Sequence, residues 1–518
     1  MTAGRSVAAA VVLFVVLATA NSGGYRYGAS DHAFYAAAIA ERADPSLFPR
    51  DAPLLAAQSR LWLGDDLIGG LARLTTTDLP TLFVPIYLAT LAVLFAAGVA
   101  FMRSIGGSPW ATAGFLLLLT LRHRISKTGA NTLEGYMHPR ILVFAIGLIA
   151  LAAIVRGRRG LAIVLLAAGA ALHTTTALWF AIVVGVAIVV QALPAGDGGR
   201  QAVRAVARRA WPWLAAAVVA IAAAAAWAFT SGPLANRLVV IDPAWLAVLD
   251  SKDYLFPTGW PAYAWVTNLA YPLVLALLYA HRRRRQLVSA GERAVLAGLL
   301  VLVGIFLLSV PFTAWRMALA VQMQVNRVFW VLDAVTAAYV AWWLLDVVAG
   351  AATAAAPDGP TAGWRPARVA VLALLLAVSA GRGIYILAVE AQRPFFEVRP
   401  HGDWIEAMAW LREQPGRWHV LADPQHAWKH GVSVRVAALR DTVLEVSKDS
   451  ALAMYDRAIA MRVADRAAAL ADFDRLTTAG ARALDARYDV DALVVEHPAS
   501  VELPVLYRNA RFVIYDLR

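Results

Sequence analysis

About eleven apolar stretches of membrane-spanning length punctuate the chain, and short polar segments separate them. They fall at 6–22, 80–102, 109–121, 139–155, 160–173, 176–194, 212–230, 263–281, 294–311, 327–349 and 366–389. Two of them, 109–121 and 160–173, are shorter than the usual ~17 to 25 residues of a spanning helix. These two are expected to enter part-way and to leave their polar ends in a cavity inside the protein. From Arg393 onward the pattern changes: apolar runs shorten and charges return. A helical pattern covers Trp404 to Glu413, strand-like runs lie at Trp418–Ala422, Ala492–Glu496 and Arg511–Tyr515, and an Ala- and Arg-rich helical stretch runs from Ala451 to Ala486. The expected fold is an all-α polytopic membrane bundle of about eleven helices, residues 1–390, followed by a small α/β domain, residues 391–518, long enough to bury its own core. The segment Gly350 to Gly363, rich in Ala, Pro and Gly, reads as a linker between two spans, and no internal repeat is visible.

Composition agrees with the pattern. With 60% hydrophobic and 16% charged residues in 518, the chain has too little polar surface to coat a soluble globule. The net charge of +12 is not a nucleic-acid footprint, because the arginines gather beside apolar runs, as at Arg156, Arg158 and Arg159 or Arg282 to Arg285. Cysteine is absent, which excludes disulfides, thiolate metal sites and a cysteine nucleophile. The run Val7 to Ala20 behind Arg5 has the look of a secretory signal, yet the later loop charges fit an uncleaved first helix better.

The loop charges set an orientation. With the amino terminus in the cytoplasm, the inner loops hold Arg103, Arg156 to Arg159, Arg200 to Arg209, Arg282 to Arg285, and Arg365 with Arg368. Residues 23–79, 122–138, 232–262, 312–326 and the tail from about 390 then face outward. The expected location is the bacterial plasma membrane, with the tail domain extracytoplasmic.

Candidate chemistry lies in the outward segments. The long first loop, 23–79, opens with Ser30-Asp31-His32-Ala33-Phe34-Tyr35. Asp31 reads either as a functional carboxylate held at the membrane surface or as an acidic residue in a helix's first turn behind a Ser30 cap. Asp51, among prolines, reads as a turn residue or as an acceptor or metal ligand. The loop containing Arg122, His123, Arg124 and Lys127, with Glu134, His138 and Arg140 beyond, breaks the orientation trend and asks for an anion such as a phosphate. The alternative is that its arginines hold Glu134 and Asp31 in structural salt bridges. His173, Arg316 and Arg327 lie at the same face, the two arginines as further phosphate contacts. His173 with His138 and His32 could form a metal or proton-transfer site, but the spacing matches no zinc signature. No GxxxxGK, HExxH or GxSxG motif occurs.

This combination resembles the GT-C superfamily of integral membrane glycosyltransferases, which use polyprenyl-phosphate sugars as donors. Asp31-His32-Ala33-Phe34-Tyr35 is similar to that superfamily's Asp-Glu-x-x-Tyr motif in the first outer loop, with His32 in place of the Glu. The resemblance implies that Asp31 is the general base or the carboxylate that orients the acceptor, with His32 beside it. Thr132 to Arg140 and Leu172 to Trp179 also resemble a bacterial branch of this architecture. The resemblance further implies a donor phosphate held by Arg122, Arg124, Lys127, Arg140, Arg316 and Arg327, with Asp51, Glu134, His138 and His173 as acceptor or metal residues. A divalent cation, Mg2+ or Mn2+, belongs to the same expectation, with a glycan, lipid or protein as acceptor. The competing classes are a transporter or flippase of lipid-linked anionic solutes, an assembly scaffold, and an enzyme like the O-antigen ligases or polymerases.

Overall fold

The computed structural model describes residues 2–59, 63–193, 237–351, 366–498 and 501–518, with a few positions between 219 and 235. Among the described residues, seven helices are long and apolar enough to cross a membrane: Gly4–Asn21, Leu79–Ser104, Thr174–Ala192, Ala262–Arg284, Ala290–Ala314, Ala318–Val348 and Pro366–Ala391. Three shorter apolar helices, Pro109–Thr120, Pro139–Val155 and Arg159–Leu172, complete the bundle. These helices coincide with every expected run except 212–230, which lies mostly outside the described residues, as do Arg200 to Arg209 and most of the linker 350–363.

In chain order the first elements are α1 (Thr2–Asn21), strand β1 (Tyr25–Arg26), α2 (His32–Ala43), α3 (Ala52–Ser59), α4 (Gly64–Thr75), α5 (Leu79–Ser104) and α6 (Pro109–Thr120). The hairpin β2 (Arg124–Ile125) and β3 (Ala130–Asn131) comes next, then α7 (Pro139–Val155), α8 (Arg159–Leu172) and α9 (Thr174–Ala192). Local chemistry sets several starts. Ser108 accepts from the Ala111 N–H ahead of Pro109, and His138 accepts from the Arg140 N–H ahead of Pro139. Helix α7 is apolar on all sides because it is buried on nearly all sides, between α5, α8 and α9. Close approach depends on small residues: a Cβ at Gly298 would lie 2.6 Å from the Val183 carbonyl oxygen.

At the end of the bundle that carries the arginine-rich loops, Arg282 is fully buried. Its Nε donates to Glu292 Oε1 at 2.8 Å, one amino group donates to the Ile105 carbonyl at 2.6 Å, and Trp342 covers the guanidinium. Tyr339 donates to the same Glu292. One arginine of that basic run is therefore a buried bracket between helices.

The opposite end carries the loops expected outside. Strand β1 pairs in parallel with β4 (Phe396–Glu397), Tyr25 stacks on Phe396, and Arg26 Nε meets Glu397 Oε2 at 2.9 Å, so the first loop and the tail start side by side. Helix α4 packs on α2 through Gly69 and is tied to the end of α8 by the Leu63 N–H to the Ala171 carbonyl at 2.7 Å. Its other face shows Leu63, Leu67, Leu71 and Leu74, a helical stripe of exposed leucines beside a membrane helix end.

The tail is an α/β unit built on one five-stranded sheet. Its sheet has the order β6-β5-β7-β9-β8, with β5 (His419–Leu421), β6 (Asp441–Thr442), β7 (Ala492–Glu496), β8 (Val505–Arg508) and β9 (Phe512–Asp516). β5 runs parallel to β6 and β7, whereas β9 is antiparallel to β7 and β8. Alternate residues serve the two faces. Val420, Val494 and Ile514 pack against Trp404, Met408 and Leu411 of the helix Asp403–Glu413. Leu421, Leu493 and Val513 belong instead to a core that continues through the loops into the bundle. The tail thus keeps one core of its own and shares the other.

Candidate functional site

A cavity of about 240 Å3 opens where all the loops at this end converge. Its walls come from residues 30–35, 122–140, 173–175, 252–254, 324–327 and 447–455. Both short helices end there: Arg122 lies just beyond α6 and His173 just beyond α8.

Asp31 stands at the N-cap position of α2, but its side chain makes no capping hydrogen bond. The carboxylate turns into the cavity instead. Lys448 Nζ lies 2.7 Å from Oδ1, while His138 Nε2 at 3.3 Å, the Tyr136 hydroxyl at 3.4 Å and Arg140 at 3.9 Å surround Oδ2. Burial alone would raise the Asp31 pKa, but Lys448, the His138 hydrogen bond and Arg140 outweigh it and hold the group well below the usual carboxylate range. His138 Nδ1 accepts the Arg140 N–H, so the ring proton sits on Nε2 and points at Asp31. Burial first, then Arg140, pushes the His138 pKa down to about 3, so the ring is neutral. His173 is likewise held neutral by burial and by His138.

Glu134 is the other carboxylate of the cavity, and it is occupied. Arg140 pairs with it, Arg122 donates at 3.2 Å and Asn131 Nδ2 donates at 3.2 Å. The neighbouring Gly135 is required where it stands, since a Cβ there would strike the carbonyls of Gly24 and Ser22. Arg122 and Arg140 therefore line the cavity while serving as counter-ions. Arg327 differs. Among the described residues it pairs with no carboxylate, its buried Nε has no hydrogen-bond acceptor, and it faces the cavity beside Tyr254 and Tyr455. Lys252 also lacks a carboxylate; it donates to the Ser447 carbonyl at 2.9 Å, and burial, then Lys448, depresses its pKa.

Several residues singled out in the sequence lie elsewhere. His32 does not reach the cavity: Nδ1 accepts the Gly28 N–H at 3.0 Å and Nε2 donates to the Met137 carbonyl at 2.8 Å, which ties the first loop to the segment just before α7. Arg124 is exposed on the β2–β3 hairpin, Lys127 pairs with Asp253 outside the cavity, and Arg316 is exposed in a turn. Asp51 is fully buried away from the cavity, where Arg435 Nε at 2.8 Å, the Thr442 N–H at 3.1 Å and Arg462 hold it. Arg435 also grips Asp449 with both amino groups, at 2.6 and 2.9 Å. This cluster clamps the first loop to the tail and fixes the helix Val446–Leu452, which carries Lys448. Trp245 and Gln322 secure the next turn by donating to the carbonyls of Ala453 and Met454.

Sequence reasoning missed Lys448, Lys252 and Tyr455. A signal was present: of 47 basic residues only Lys127, Lys252, Lys429 and Lys448 are lysines, and two of those four line the cavity.

A divalent cation does not fit these residues. Among the described residues no group of three or more carboxylates and imidazoles converges. The two carboxylates of the cavity already face cations, and five cations (Arg122, Arg140, Arg327, Lys252, Lys448) against two carboxylates (Asp31, Glu134) leave a net charge of 5 − 2 = +3.

No protein-family model and no curated protein matches the sequence. Among solved structures, the chain is similar to the archaeal oligosaccharyltransferase AglB from Archaeoglobus fulgidus in complex with an inhibitory peptide and a dolichol-phosphate. The identity is 12%, the TM-score is 0.46, and the match covers 94% of this chain and 69% of that one. It is also similar to an Archaeoglobus fulgidus oligosaccharyltransferase complex with Zn and sulfate, at 11% identity and a TM-score of 0.40, over 94% of this chain and 68% of that one.

Proposed function

We propose that the protein is a membrane glycosyltransferase of GT-C type that moves a sugar from a polyprenyl-phosphate donor to a glycan, lipid or protein acceptor of the bacterial envelope, on the outer face. The observation that carries this reading is one cavity, at the end of a membrane bundle, that holds the Asp31 carboxylate against Lys448 and an Arg327 that pairs with no carboxylate among the described residues. The donor phosphate meets Arg327 and Lys252, which have no acidic counter-ion of their own among the described residues. Asp31 accepts a hydrogen bond from the acceptor hydroxyl and orients it toward the anomeric carbon. As the new C–O bond forms, the bond from that carbon to the phosphate oxygen breaks, the phosphate leaves with the electron pair, and the acceptor proton passes to Asp31. A carboxylate held so acidic takes the proton late, once bond formation has acidified the hydroxyl. The surplus positive charge of the cavity stabilises the departing phosphate. Mass spectrometry of envelope glycans from a deletion strain beside the wild type tests the reading: one sugar substituent disappears in the deletion strain. Identical glycan profiles would contradict it.

A further inference from the structure

We propose that Lys448, delivered by the tail domain, neutralises Asp31 in the way a bound divalent cation otherwise would, and that the site works without a metal. The proposal rests on the reading of the cavity as a donor-phosphate site. Its basis is the ion pair of 2.7 Å between Lys448 Nζ and Asp31 Oδ1, with the Ser30 hydroxyl 3.2 Å from the same ammonium. The lysine is not a loose surface arm. Its side chain is 20% exposed, its own N–H donates to the Glu445 carboxylate at 2.8 Å, and the buried Arg435–Asp449 pair fixes its helix. On the opposite oxygen of Asp31, the His138 Nε2–H and the Tyr136 hydroxyl take the lone pairs a metal would need. The remaining carboxylate, Glu134, is held by Arg122, Arg140 and Asn131. A dication entering there would displace at least one of these cations and join a cavity of net positive charge. An ammonium supplies one charge and no open coordination position, so phosphate charge in this site falls to Arg327 and Lys252.

Two measurements on the full-length protein in detergent, after chelator treatment, test the proposal. In a Mn2+ titration followed by electron paramagnetic resonance, the wild type is expected to hold no stoichiometric Mn2+. One Mn2+ per chain that Asp31→Asn abolishes would overturn the proposal. In the second, geranylgeranyl phosphate is titrated with and without Mg2+. Equal affinity under both conditions is expected, and binding that requires Mg2+ overturns the proposal. Absence of binding under both conditions would instead remove the phosphate reading on which the proposal stands, while the Mn2+ result would still decide the metal question. Lys448→Gln supplies a readout that a packing role would not move: with its counter-ion gone, Asp31 titrates at higher pH, so the acid limb of sugar transfer moves upward, and Lys448→Arg restores it.

Discussion

Lys448 and Asp31 are 417 positions apart in the chain and share an ion pair of 2.7 Å. The contact joins the tail helix Val446–Leu452 to the N-cap of α2 in the first loop, so the cavity is complete only when the tail is docked. The charges that dock it are buried and paired: Arg435 bridges Asp51 of the first loop and Asp449 of the tail, all three shielded from solvent. Buried ion pairs contribute little net stability when intact but are costly to break from one side. They are suited to fixing register, and here they fix where Lys448 arrives.

Removing Arg435 should therefore undock the tail. Arg435→Ala leaves Asp51 and Asp449 buried with fewer counter-ions, with a cost of about 3 to 5 kcal/mol expected for one-sided loss of such a pair. Thermal unfolding in detergent should show a marked drop in Tm, and limited proteolysis should cut between the bundle and the tail. Wild-type Tm and protection would show that the clamp is not what holds the tail.

The cations of the cavity should separate into two classes. Arg327→Gln removes a guanidinium without a carboxylate, so prenyl phosphate binding should weaken about ten- to a hundredfold, the value of a charge-assisted hydrogen bond, while Tm stays near wild type. Arg122→Gln strips a counter-ion from buried Glu134 and should lower Tm as well. Arg124→Gln, on the exposed hairpin, should change neither. Titration of prenyl phosphate beside melting curves for the three variants checks all of this.

Glu445 should impose a pH dependence on stability. Burial, reinforced by Asp449, raises its pKa from the ordinary 4.5 to about 7. The folded state then binds this proton more tightly than the unfolded chain, so the group costs stability as pH rises from about 4.5 to about 7. Glu445→Gln keeps an oxygen for the Lys448 N–H but cannot ionise. Its Tm advantage over the wild type should grow between pH 5 and pH 7 and level off above. Groups such as Asp51, whose pKa is depressed, act equally in both proteins and cancel. Parallel Tm curves across that range would contradict the assignment.

Much of the site was legible because membrane helices announce their ends. Long apolar runs located the helices, and the ionisable residues at the run ends, Arg122, Arg140, His138 and His173, proved to face one cavity. Adjacency in sequence misled at His32: successive residues on a helix point about 100° apart, so beside a cavity-facing Asp31 the histidine turns inward to Gly28 and Met137. Asp51 does lie in a turn, but its carboxylate serves neither an acceptor nor a metal in the cavity, because Arg435 and Arg462 from the distant tail hold it. Lys448 was hidden for the same reason. No local pattern encodes a contact made only when two ends of a chain dock, although a rare lysine among arginines pointed to it.

Participation of the Asp31 carboxylate in sugar transfer is the step on which the proposed chemistry turns. Asp31→Asn keeps the shape of the side chain, and no capping bond is lost because none is made. The decisive experiment is glycan transfer by purified Asp31→Asn protein beside the wild type, with Tm recorded for both. A fall of about 10² to 10⁴ in rate at similar Tm is expected for a residue that accepts the acceptor's proton. Wild-type transfer by the folded variant would rule that role out.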